Sequence, residues 1–117
     1  IWVNEMKAGD YNPVHVHKGK LYTGLSSVMI LKLPKDYGPE LTQPDQPMNG
    51  RLQILGNASG QFVKADYSPQ VKIGDFYIFP YDMKHVVYPF TNKKAKRRTL
   101  VCNVDVTYNS ITSRTAQ

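Results

Sequence analysis

Three histidines are the side chains in this sequence best suited to chemistry. His15 and His17 stand one residue apart in Asn12-Pro13-Val14-His15-Val16-His17-Lys18-Gly19. His85 closes a distant run, Gly74-Asp75-Phe76-Tyr77-Ile78-Phe79-Pro80-Tyr81-Asp82-Met83-Lys84-His85. Imidazole is the commonest transition-metal ligand among side chains. Residues i and i+2 of a β-strand point to one face. A strand over residues 11–18 therefore aims both imidazoles at one point, and a fold that returns His85 there completes a three-nitrogen metal site. A lone histidine is usually an ordinary core or surface residue; a His-x-His pair in a Pro-preceded, strand-like segment is a stronger signal.

The elements that must position these rings read as β-strands. At 117 residues, the chain is the size of one domain. Eight Gly, eight Pro and eight Tyr accompany short β-rich runs. The expected strands are 1–7, 11–18, 25–33, 51–55, 61–67, 76–79, 85–89 and 97–108. Both faces of 25–33 carry apolar residues, which predicts a central, buried strand. Residues 34–50 hold four prolines and two glycines and read as a long irregular loop, a candidate lid together with Tyr81 and Asp82. No internal repeat and no amphipathic helix is visible. The expected domain is 1–109, followed by a frayed tail at 110–117. About eight short strands separated by turns read as an all-β sandwich or jelly roll.

The last expected strand alternates. Arg97, Thr99, Val101, Asn103, Asp105 and Thr107 share one face, and Arg98, Leu100, Cys102, Val104, Val106 and Tyr108 share the other. The second face is expected to be the apolar core face of its sheet. The first faces either water or a polar pocket lined by Arg97 and Thr99. An arginine fork grips a carboxylate through two parallel hydrogen bonds, and the Thr99 hydroxyl adds a third. Tyr11 and Tyr22 are candidate hydrogen-bonders to the same ligand, although ordinary amphipathic packing accounts for them as well.

The formal net charge is +6, concentrated in Lys93-Lys94-Ala95-Lys96-Arg97-Arg98. No aromatic is interleaved within that run, so a solvated loop is favoured over nucleic-acid binding. No apolar run approaches membrane-spanning length and no signal peptide is visible. The single Cys102 excludes an intramolecular disulfide and fits a reducing, cytoplasmic compartment. The chain begins at Ile1 without Met, so a preceding portion of a longer chain is expected.

The set Pro13-Val14-His15-Val16-His17, Gly74-Asp75, Phe79-Pro80, His85-Val86, Arg97-x-Thr99 and Asn103 resembles the iron(II)/2-oxoglutarate-dependent oxygenases. The resemblance is closest to the small prolyl-hydroxylase-like oxygenases of bacteria and tailed phages. It implies a double-stranded β-helix, the jelly-roll barrel, with iron(II) at His15, His17 and His85. It implies 2-oxoglutarate held by Arg97 and Thr99, with Tyr22 and Tyr11 nearby, oxygen as the other co-substrate, and ascorbate as an accessory reductant. It also implies hydroxylation of an unidentified substrate, a peptidyl proline being the one the resemblance names. The superfamily pattern places a carboxylate where this chain has His17, so Asp10 or Asp82 is an alternative third ligand. A cupin is a rival reading, as a metal enzyme or sugar binder. Gly74-Asp75, Pro80 and His85 fit its second motif, but no Glu follows His-x-His: Lys18, Gly19, Lys20, Leu21 and Tyr22 do. A non-catalytic jelly-roll interaction module is the other.

Overall fold

In a computed structural model, residues 1–41, 45, 47–56 and 60–107 are described. Among them there are strands and no helix. The strands are β1 (Trp2–Lys7), β2 (Asn12–His15), β3 (Gly24–Lys32), β4 (Leu52–Leu55), β5 (Asp66–Tyr67), β6 (Phe76–Pro80), β7 (Lys84–Val87) and β8 (Lys96–Asp105). They form two four-stranded antiparallel sheets, ordered β1-β8-β3-β6 and β2-β7-β4-β5. The arrangement is consistent with a β-sandwich. The expected tail at 110–117, Tyr108 and parts of the 34–50 loop and the 56–60 turn lie outside the described residues.

Apolar side chains from both sheets pack together. Met6 of β1, Leu52 of β4, Val87 of β7 and Phe90 form the buried cluster, with Val28, Tyr37 and Ile54 against it. These residues come from both sheets, so removing their apolar surface from water holds the sheets together. Pro13 is tolerated in β2 because β2 is an edge strand, and the pairing with β7 shifts register between Asn12 and His15.

Four expectations are corrected. Residues 61–67 do not form a full strand: only Asp66 and Tyr67 pair, and Phe62 is 95% exposed. The 11–18 strand stops at His15. The faces of β8 are the reverse of the core assignment. Arg97, Thr99 and Val101 are buried toward the interior, while Leu100, Cys102 and Val104 lie on the outer face. Register explains why. Leu100 pairs with Val3 and Met29, and Val104 with Leu25, so the outer face of this sheet is apolar across several strands. An apolar row therefore could not by itself reveal which side was the core. β3 is central, as expected, but is not buried along both faces: Ser26, Ser27 and Ile30 are buried, whereas Leu25 and Leu31 are exposed.

Candidate metal centre and anion cavity

His15 and His85 are directly opposed partners across β2 and β7. Same-face cross-strand neighbours bring side chains together, and the two ring centroids lie 4.1 Å apart. His17 follows the end of β2, yet its backbone NH donates to the Tyr81 carbonyl at 2.9 Å, which carries the extended path one step further. That bond keeps His17 on the His15 side. Its ring stacks on His85 with an interplanar angle of 8° and Nε2 of each ring 3.0 Å from the other. One nitrogen from each of the three histidines lies within 4.8 Å of the others. Among the described residues no carboxylate or thiol joins this group. Asp10 is occupied in the turn, where it accepts from Lys7 N, and Asp82 is exposed.

Two of the rings are set by the backbone. His15 Nδ1 meets the Pro13 carbonyl at 2.5 Å, and His85 Nδ1 meets the Met83 carbonyl at 3.0 Å. A carbonyl oxygen only accepts, so each Nδ1 carries the proton and each Nε2 keeps its lone pair. Burial pulls the His85 imidazole down to about 4, against the opposing effect of the Met83 carbonyl, and its histidine neighbours push the same way as burial. Burial also lowers His17, helped by charge on His15. Neutral imidazole is the form that binds metal. The donor set fits a first-row divalent ion.

The histidines border a cavity between the sheets. Asn4, Met6, Ser26, Phe79, Arg97 and Thr99 line it from one sheet, and Asn12, Leu52 and Val87 from the other. Its lining contains no Asp or Glu. Arg97 is 3% exposed, and among the described residues its Nε has no hydrogen-bond partner. Burial lowers the guanidinium from its usual range, with the Tyr37 phenol acting the other way, but an arginine stays charged in proteins. A buried cation with an unmade donor is costly unless an anion meets it. Thr99, two residues along the same face, is 3% exposed and lines the same cavity. Arg98 points the other way and pairs with Glu5 at 2.5 Å on the outer face.

Tyr11 and Tyr22 are not brought to the cavity. They are 55% and 79% exposed, and Tyr22 instead lies under the Lys18 ammonium. Sequence reasoning gave no role to Asn4, Ser26 or Tyr37, and named Asn103 only as part of the resemblance. The available signal was alternation: Asn4 lies between Trp2 and Met6, and Ser26 before Val28 and Ile30, as polar members of inward faces.

Residues 1–103 match the family described as "Putative 2OG-Fe(II) oxygenase", and the chain belongs to that family. The family implies iron(II), 2-oxoglutarate and oxygen, and the three histidines are the group that could hold the metal. A search of curated proteins found no match to the chain. Among the described residues no helix is long and apolar enough to cross a membrane.

Proposed function

We propose that this chain is an iron(II)- and 2-oxoglutarate-dependent dioxygenase, a hydroxylase built on a double-stranded β-helix spanning residues 1–109. One observation carries the reading: three convergent histidines and a buried arginine with an unmade donor share a single acid-free cavity. His15, His17 and His85 would hold the metal, and the bound metal with 2-oxoglutarate and oxygen would supply the oxidising chemistry. Arg97 and Thr99 would bind the carboxylate of 2-oxoglutarate distant from the metal. Phe79, 5% exposed and with its ring centroid 4.6 Å from that of His85, excludes water from one side of the site.

The prime substrate would approach the segment carrying His15 and His17. That segment belongs to an edge strand and displays Tyr11, Val14 and Val16 to solvent. An exposed strand edge flanked by apolar side chains suits an extended peptide. That favours a peptide as the substrate class; the proline is what the resemblance implies.

The test is conversion of 2-oxoglutarate to succinate by purified protein, with and without iron(II), oxygen and ascorbate. Slow turnover that requires iron and oxygen, and that is lost in His85→Ala, is the expected result. Metal-free protein that takes up no iron and forms no succinate would reduce the chain to a non-catalytic β-sandwich.

A further inference from the structure

Asn103 stands between His17 and Ser26. Its Nδ2 lies 3.4 Å from His17 Nδ1, and its Oδ1 accepts a hydrogen bond from Ser26 Oγ at 2.8 Å. Ser26 and Asn103 are opposed partners across β3 and β8, and Ser26 is 1% exposed. An amide NH2 only donates, so His17 Nδ1 accepts. In a neutral ring the proton is then on Nε2, which faces His85 Nε2 at 3.0 Å. His85 Nε2 is free to accept, because its own proton is held at Nδ1 by Met83. His15 and His85 thus present a lone pair to the centre, whereas His17 presents a proton.

We propose that Asn103 is the positioning residue of His17, and that its side-chain amide serves two ring tautomers. In one orientation the NH2 group faces His17 Nδ1, and the Nε2 proton bridges to His85. In the other the amide is turned end over end, Oδ1 accepts from a protonated Nδ1, and Nε2 would be free to hold a metal. The ring proton leaves Nε2 and an equivalent proton arrives at Nδ1 from solvent, so no net proton is taken up or released. Ser26 Oγ donates to Oδ1 in the first state and accepts from Nδ2 in the second. A hydroxyl does either and a backbone carbonyl does not. This distinguishes His17 from its two carbonyl-anchored neighbours. The assignment rests on the metal-site reading above, and outer partners of this kind set ring orientation and metal affinity.

Two measurements test it. Long-range 1H–15N spectra of histidine-labelled, metal-free protein report the tautomer of each ring. Zinc, a redox-silent probe, is titrated against a chromophoric chelator into wild type, Asn103→Leu, Asn103→Asp and Ser26→Ala. In metal-free wild type, His17 is expected as the Nε2–H form, and His15 and His85 as Nδ1–H. Asn103→Asp, with acceptors only, should protonate His17 at Nδ1 before metal is added and keep zinc affinity at or above the wild-type value. Asn103→Leu should weaken zinc by about 10–100-fold, with Ser26→Ala between. Wild-type zinc affinity in Asn103→Leu, or Nδ1–H at His17 in metal-free wild type, overturns the proposal. If Asn103→Leu fails to fold, Asn103→Asp decides: His17 remaining Nε2–H there overturns it too. A wild type that binds no zinc sinks the metal reading itself, while the metal-free spectra test the Asn103 assignment separately.

Discussion

His17 Nε2 stands 3.0 Å from His85 Nε2, although the two residues are 68 positions apart in the chain. The contact is made by two strands' worth of backbone. β7 delivers His85 opposite His15, and the His17 NH bond to Tyr81 O holds the second ring in line. It sets the first prediction. His85→Ala and His15→Ala should each lower metal affinity by more than about 100-fold, beyond what an outer partner contributes. His17→Asp should retain iron, because it restores a two-histidine, one-carboxylate face. Metal content after gel filtration reads the difference. Loss of iron in His17→Asp equal to that in His17→Ala would show that the ring has another role.

The two adjacent arginines should behave oppositely. Arg97 is buried with an unmade donor, and Arg98 is half-exposed in an ion pair with Glu5. Arg97→Met should weaken 2-oxoglutarate binding by at least about tenfold, the loss of one charge-assisted contact of 1.5–3 kcal/mol. The same change removes a buried, unpaired cation, so the ligand-free protein should gain about 1 kcal/mol of stability. Arg98→Met should leave binding within about twofold and stability within about 1 kcal/mol, the value of an exposed ion pair. Calorimetric titration and urea unfolding measure both. Equal effects at the two positions would contradict the register of β8.

Alternation along β8 made Arg97 and Thr99 legible before any fold was known, and the i, i+2 rule did the same for His15 and His17. The identity of the core face was not legible. Leu100, Cys102 and Val104 form an apolar row that sits outside, and only the pairing with Leu25, Met29 and Phe76 neighbours reveals why. Strand period sorts residues into two faces but does not say which face meets the second sheet. Cross-sheet relations were equally hidden. The resemblance sets Asn103 in one motif with His17, 86 positions away, but not in contact with it, because that contact depends on how one sheet lies over the other.

Acid should weaken the metal-free protein in a window set by His85. Its imidazole is lowered by burial from 6.5 to about 4. Between these values the unfolded chain binds a proton that the folded protein does not, so stability falls as pH falls. The contribution is fully present above about pH 7 and gone below about pH 4. A shift of this size corresponds to about 3 kcal/mol at most, of which about 2 kcal/mol is lost by pH 5. The lowered carboxyl of Glu5 acts below its ordinary 4.5 and so outside the upper part of this window. Urea midpoints of metal-free protein at pH 7 and pH 5 should differ for wild type and differ less for His85→Leu, in which the lowered His17 keeps part of the dependence. A wild type indifferent to this change would mean that the ring is solvated.

The basic run should bind nucleic acid weakly. Lys96 and Arg98 both pair with Glu5, and Arg97 is buried, which leaves Lys93 and Lys94 as exposed charges in the turn before β8. Two free phosphate contacts give attraction that fades steeply with salt. Elution from a DNA column below about 150 mM salt is expected. Retention above that, abolished by Lys93→Gln with Lys94→Gln, would assign the run a nucleic-acid role.

Metal and 2-oxoglutarate should each tighten the binding of the other. A divalent ion on three neutral imidazoles, with the Arg97 guanidinium in the same cavity, places three positive charges where the lining offers no carboxylate. A dianionic ligand compensates two of them, one end at the metal and the other at Arg97. Binding free energies couple reciprocally, so the factor by which 2-oxoglutarate tightens metal must equal the factor by which metal tightens 2-oxoglutarate. A coupling of about 1–3 kcal/mol is ordinary for two interacting sites, or about 5–150-fold, and a charge-deficient site belongs at the upper end. His17→Asp adds one negative charge beside the metal and should reduce this factor, tightening metal alone while weakening its dependence on co-substrate. Arg97→Met should reduce it as well, by releasing the far end of the ligand. Zinc titrations with and without saturating 2-oxoglutarate give the factor for each protein. A wild-type factor near one, or a factor unchanged in His17→Asp, would show that the missing carboxylate is balanced by something other than the co-substrate.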